Sequence, residues 1–188
     1  MTWKGLPAIV IASGPSLISE DIDLVERSGI NTIAVNNTWE KVRFAKAIYA
    51  GDGVWWKYNQ AKIDIDAERW TCARTGEQLY QAKYRARFIK PGYNSGANAV
   101  ELAVNVLKAS TVLMLGFDCS VKKGIHHHGK HEHTSNPTVD KCELWKAQFR
   151  SLRDKTQGAD IINCSRYSEV KYFVKQDLES ALCALGLI

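Results

Sequence analysis

All five histidines of the chain fall within eight positions, His126-His127-His128-Gly129-Lys130-His131-Glu132-His133, so background composition does not account for the run. A neutral imidazole is both a metal ligand and a base that works near physiological pH. Three readings follow. Imidazoles of the run, His131 and His133 among them, stand beside Glu132 as ligands for a transition ion such as Zn²⁺ or Ni²⁺. Equally, one imidazole is a general base for an acceptor hydroxyl while Lys122, Lys123 and Lys130 offset phosphate charge. The third reading is a mobile surface loop with no more than adventitious metal affinity. The residues alone leave all three open.

Four short polar clusters share one property: each directly follows an apolar run of strand length. Ser13-Gly14-Pro15-Ser16 follows Pro7 to Ala12, Asn36-Asn37 follows Ile30 to Val35, Gly51-Asp52-Gly53 follows Ala45 to Ala50, and Gly116-Phe117-Asp118 follows Thr111 to Leu115. A turn with a small residue lets a phosphate approach backbone N–H groups, and Gly14 with the hydroxyls of Ser13 and Ser16 offers one, stiffened by Pro15. A plain tight turn fits the same four residues. Asn36 and Asn37 suit a base or ribose, or else cap a turn. Asp52 and Asp118 are strand-end carboxylates able to hold Mg²⁺ near phosphates, to orient a hydroxyl, or to cap a helix. Neither the three-glycine dinucleotide fingerprint nor G-x-x-x-x-G-K-[ST] is present, which argues against an NAD or FAD enzyme and against a P-loop kinase.

Strand-end clusters converge only if the strands run parallel. The apolar runs are short, β-branched and unbroken, as expected of strands buried on both faces. Helices are predicted after Ser19, where Glu20 and Asp21 make an acidic first turn closed by Ser28-Gly29, and over the small-residue stretch Ala97 to Leu107. Two more are predicted over Asp140 to Thr156 and Asp177 to Leu185, with a short strand at Ala159 to Asn163 between them. The expected fold is α/β, Rossmann-like and doubly wound, with a mostly parallel sheet and helices on both faces. It forms one domain over 1–188, with lid segments at 54–94 and 119–139. Within the first lid, Tyr80 to Lys90 interleaves aromatic and basic side chains, a pattern that suits a nucleic-acid strand, an amphipathic helix or an edge strand; the last two are the commoner outcomes.

Composition sets the outer bounds. A hydrophobic fraction of 45% and a charged fraction of 24% over 188 residues exclude wholesale disorder and suit one core. No apolar run approaches the roughly 20 residues of a membrane helix. The start carries no signal-peptide pattern, and five scattered cysteines without C-x-x-C read as reduced thiols, so a cytoplasmic protein is expected. A net charge of +5 favours an anionic small ligand and is too weak to point to nucleic acid.

Taken in order, Ile-Val-Ile-Ala-Ser13-Gly14-Pro15-Ser16-Leu17, Val35-Asn36-Asn37, Asn94-Ser95-Gly96-Ala97, Leu-Met-Leu-Gly116-Phe117-Asp118, the histidine loop, Trp145 and Ile162-Asn163-Cys164-Ser165 form a pattern covering most of the chain. In this the chain resembles the bacterial and phage family built on a 6-hydroxymethylpterin pyrophosphokinase-like domain. It is more distantly similar to the family-42 bacterial sialyltransferases. The second likeness implies that Gly14, Pro15, Ser16 and Asn36 bind a cytidine nucleotide, that Ser95 and Gly96 border it, and that one of His126, His127 or His128 is the base. The first implies Mg²⁺ and ATP at Asp52 and Asp118. The chain departs from the sialyltransferases in length, in a second glycine of the first turn and in their tyrosine pair.

The expected function is therefore a nucleotide-dependent transferase, glycosyltransferase-like, moving a group from a nucleotide-activated donor (a CMP-sugar, another NDP-sugar, or ATP) to an unknown acceptor hydroxyl, in a bacterial or phage-infected cell. The alternatives are a Mg²⁺-dependent pyrophosphokinase-like enzyme and a non-catalytic nucleotide- or metal-binding phage accessory protein.

Overall fold

The computed structural model describes residues 1–73, 93–127, 129, 133–134 and 136–188, together with the backbone of 84–85. Among the described residues, eight strands form one sheet in the order β5-β4-β3-β2-β1-β6-β7-β8. They are β1 (Pro7–Ile11), β2 (Asn31–Val35), β3 (Ala47–Tyr49), β4 (Glu68–Thr71), β5 (Tyr84–Arg85), β6 (Thr111–Leu115), β7 (Asp160–Asn163) and β8 (Val174–Lys175). Every pairing is parallel. The chain builds outward from β1 to β5 on one side, then returns to lay β6 against the other side of β1. That reversal is a topological switch point, where open parallel sheets bind their ligands.

Alternation along the strands explains the two faces. Ala8 and Val10 of β1 join one buried cluster with Ile33, Val112 and Met114, whereas Ile9 and Ile11 join a second with Ala34, Ile48, Leu113 and Leu115. The first cluster is covered by α3 (Ser95–Glu101), which continues as a π-helical segment over Leu102–Val106, and by α4 (Val139–Lys155). The second is covered by α1 (Ser19–Ser28), α2 (Gly53–Asn59) and α5 (Leu178–Ala184). Ala97, Ala99 and Ala103, all fully buried, let the α3 segment lie close on the strands. The fold is thus α/β, Rossmann-like and doubly wound.

Three local expectations need correction. Helix α1 starts at Ser19 itself, with Ile18 as a cap residue that supplies no side-chain bond. The turn around Gly14 is therefore a connection set several residues ahead of the helix, and it is not a helix N-terminus. The stretch 54–90 contributes more than a helix and a lid, because Glu68–Thr71 and Tyr84–Arg85 extend the sheet. Strands of four and two residues carry too few positions to show a period, and β8 (two residues) escaped notice for the same reason. The side chains of the interleaved Tyr80 to Lys90 segment lie outside the described residues. All five cysteines are free thiols, and no helix among the described residues is long and apolar enough to cross a membrane.

Candidate functional site

Parallel register brings the strand ends to one edge. Ile11 of β1 lies level with Leu115 of β6 and Ala34 of β2, and Val35 lies level with Tyr49 of β3. The residues that follow open a cleft of about 530 Å³ above the junction of β1 and β6. Ser13, Gly14 and Pro15 line it from one strand end, Asn36 from the next, and Gly51 and Asp52 from the third. Ser95 and Gly96 of α3 and Gly116 to Ser120 after β6 close the opposite side. Phe149 and the partly exposed Trp145 face it from α4, which also places Cys142 on the same stripe at helical spacing.

The turn after β1 is clamped to the end of β6. Gly14 N–H donates to Gly116 O at 2.8 Å, Ser16 N–H to Asp118 Oδ2 at 2.9 Å, and Ser16 Oγ–H to Asp118 Oδ1 at 2.6 Å. Leu17 N–H closes the turn on Gly14 O at 3.1 Å. Pro15 has no N–H. Of the donors expected to cradle a phosphate, the two of Ser16 go to the Asp118 carboxylate and the Gly14 N–H to the backbone of Gly116, while the Ser13 hydroxyl faces His126. Burial pushes the Asp118 carboxyl above the ordinary carboxylate range, against the pull of the two Ser16 donors.

Gly14 and Gly116 are required by contact. A Cβ on Gly14 would lie 2.6 Å from Asp118 Cγ and closer still to the Gly116 carbonyl, and Gly116 itself holds φ +73° against the Ala12 carbonyl. Among the described residues three non-glycine positions hold positive φ, and two of them, Asn36 at 51° and Cys119 at 52°, also line the cleft. Backbone held in that region stores strain and tends to collect at functional sites.

The histidine loop is tied across this turn. Ser13 Oγ and His126 Nδ1 lie 2.9 Å apart, and His127 N–H donates to Ser13 O at 3.0 Å. His126 lines the cleft. His133 leaves it to stack on Tyr58 of α2, ring centroids 3.9 Å apart. His128, Lys130, His131 and Glu132 lie outside the described residues.

Other expected residues have different partners. Asn37 accepts from Trp55 Nε1 at 2.7 Å and donates to Glu40 at 2.9 Å, fastening the 3₁₀ turn Asn36–Glu40 to α2. Asp52 caps α2 by accepting from Val54 N–H at 2.7 Å. Among the described residues no group of three or more histidine, cysteine, aspartate or glutamate side chains gathers to share an ion. Lys122 turns to Glu169 at 3.0 Å, and Lys123 sits 4.9 Å over the Tyr167 ring, so neither lines the cleft.

Gln148, which holds the cap of α3, carries no local sequence signal, whereas Ser95 belongs to the expected set. Gln148 of α4 accepts from both the backbone N–H and the side-chain amide of Asn94, at 2.8 and 2.9 Å, while Asn94 caps α3 through Ala97 N–H. Ser95 Oγ accepts from Gly51 N–H at 3.2 Å and joins the third strand end to the start of α3. The cleft thiol of Cys119 is pushed up by burial to about 12, so it stays protonated and is no thiolate nucleophile at neutral pH.

Behind this wall, Glu169 N–H donates to Asp118 O at 2.9 Å, and the Glu169 carboxylate collects Lys122, Lys146 and the Tyr167 hydroxyl. Those partners, Lys122 first, pull its carboxyl from 4.5 down to about 2. A depressed carboxylate stabilises the fold fully above its unfolded value, and the contribution disappears as pH falls through the folded value. Wild type and Glu169→Gln should therefore differ most in urea midpoint above pH 4.5 and converge near pH 2. A gap independent of pH would show that the ion pairs contribute nothing there.

Compared with known proteins, the chain matches no family model, and no curated protein or solved structure matches it.

Proposed function

We propose that the chain is a nucleotide-dependent transferase of glycosyltransferase-like type, passing a group from a nucleotide-activated donor to an acceptor hydroxyl. The observation that carries this reading is the Ser13–His126 pair, 2.9 Å apart, set in the wall of a cleft at the sheet's switch point. His126, its Nδ1 bonded to Ser13 Oγ, is the base that takes the proton of the acceptor hydroxyl. The freed oxygen bonds to the donor's transferring atom, and the bond to the nucleotide phosphate breaks with its electrons remaining on that phosphate. Ser13 is a positioning residue in this scheme.

The phosphate belongs at the other wall. With the Ser16 and Gly14 donors held by Asp118 and Gly116, an anion-friendly feature of the described cleft is the start of α3, whose helical backbone runs on through Val106. Ser95 Oγ accepts from Gly51 N–H and keeps its own hydrogen to donate to a phosphate oxygen. Gly96 beside it is packed against the Phe117 ring, which a Cβ there would meet at 2.9 Å. Asn36 and Asp52, at the ends of β2 and β3, offer polar groups to the ribose or base. The likeness to the two families, read from the motif order, agrees with this assignment at Asn36, Ser95, Gly96 and a loop histidine, and differs from it at Gly14 and Ser16, whose donors go to Gly116 and Asp118.

A thermal-shift screen of CMP, UDP, GDP, ADP and ATP, each with and without Mg²⁺, tests the reading. One nucleotide at about 100 times its dissociation constant should stabilise the fold by roughly 2.7 kcal/mol, and Ser95→Ala should reduce that shift. If no nucleotide raises the melting temperature, the reading falls.

A further inference from the structure

A second concavity of about 840 Å³ lies on the far side of α4. The helix presents Cys142, Trp145 and Phe149 to the first cleft, and Glu143, Lys146, Ala147 and Arg150 to this groove. Its other walls are Lys122 after β6 and the β7–β8 connection carrying Tyr167, Glu169, Lys171 and Tyr172. With Lys123 standing over Tyr167, five cations meet two carboxylates.

The arrangement is ordered. Glu169 is saturated from within, Oε1 by Lys122 at 3.0 Å and by the Tyr167 hydroxyl at 2.8 Å, and Oε2 by Lys146 at 3.2 Å. It acts as an internal counter-ion that holds two ammonium groups at the groove wall. Lys122 remains 76% exposed while so paired and has further N–H donors to offer, whereas Lys146 is also bonded to Glu143 at 2.5 Å and keeps one. Arg150 and Lys171 are exposed on the two rims. Tyr167 and Tyr172, both partly exposed, add aromatic rings to the lining, the first with Lys123 over one face and the second resting on the core, and the combination of a cationic track with such rings is how single strands are held without sequence preference: phosphates on the cations, bases on the rings.

We propose that this groove binds single-stranded nucleic acid, with Lys122, Lys146, Arg150 and Lys171 on successive phosphates and the tyrosines against bases. Two tyrosines among the cations favour a strand bearing bases over an acidic polysaccharide, which has none to stack. The assignment is independent of the transferase reading, because binding is measured with no donor present.

Fluorescence anisotropy with a labelled oligo-dT of about 15 nucleotides, within the span such grooves cover, measures it directly. Four phosphate contacts predict that log K falls with log salt at a slope of about −3. The Arg150→Glu/Lys171→Glu double variant, which leaves the Lys122–Glu169 pair intact, should weaken binding at least tenfold with an unchanged urea midpoint. Lys4→Glu/Arg27→Glu carries the same change in net charge away from the groove and should bind like wild type. Tyr172→Ala should weaken the oligonucleotide and leave heparin unaffected. Absence of binding at low salt overturns the proposal, as does equal loss in both double variants, which would reduce it to bulk charge. A Tyr172→Ala variant that binds oligo-dT normally would convert the groove to a general polyanion surface and overturn the nucleic-acid assignment.

Discussion

Gly14→Ala is expected to cost about 3 kcal/mol of stability, the range of an overpacked core site that also loses hydrogen bonds. The added methyl would overlap the Asp118 carboxylate and the Gly116 carbonyl, and neither can retreat. Asp118 is only 2% exposed and is bonded twice by Ser16, while Gly116 is backbone already held at φ +73°. The turn would have to lift away from β6, breaking the Gly14–Gly116 and Ser16–Asp118 bonds together. In urea the midpoint should drop with little change in slope. Gly158→Ala is the matched control, because nothing lies within 4 Å of its would-be methyl and its φ is ordinary. Equal midpoints for the two variants would show that the turn after β1 is not clamped.

His126→Ala is expected to lower turnover by roughly 10² to 10⁴-fold, the usual contribution of a positioned general base. The thermal shift given by the preferred nucleotide should survive, since the imidazole sits at Ser13 and the proposed phosphate wall is at Ser95. Ser13→Ala should be milder and act on kcat more than on KM, because it removes the bond that sets the ring's orientation and leaves the base in place. A His126→Ala enzyme with full turnover would remove the base assignment while leaving nucleotide binding standing. The two parts of the reading therefore fail separately.

Gly116→Ala shares the steric cause of Gly14→Ala and adds a positive φ, so these glycines mark where two strand ends approach most closely. The motif Gly116-Phe117-Asp118 was legible in the sequence as a strand end with a carboxylate. Its partner was not. That Asp118 spends both oxygens on Ser16, 102 positions away, follows from β1 and β6 being neighbours, and no local spacing encodes which strands become neighbours. The same separation hid Gln148 at the cap of α3 and Lys122 on Glu169. Asn37 illustrates the converse: its type suited a ligand, yet the indole of Trp55 reaches it first.

What the sequence determined by itself is the strands β1, β2, β3, β6 and β7, the helices α1, α3, α4 and α5, and the edge at which their polar ends gather. Unbroken apolar runs, small-residue helical stretches and strand-end glycines are local patterns, and burial on both faces of a parallel sheet follows from them directly. Only the tertiary structure decided how the gathered groups are divided. It assigned Ser16 and the Gly14 N–H to holding the fold, left Ser95 a hydrogen to donate, paired one histidine with Ser13 and stacked another on Tyr58. Hydrogen-bond donors are satisfied by whichever acceptor the packing brings within about 3 Å, and that choice is made between residues far apart in the chain.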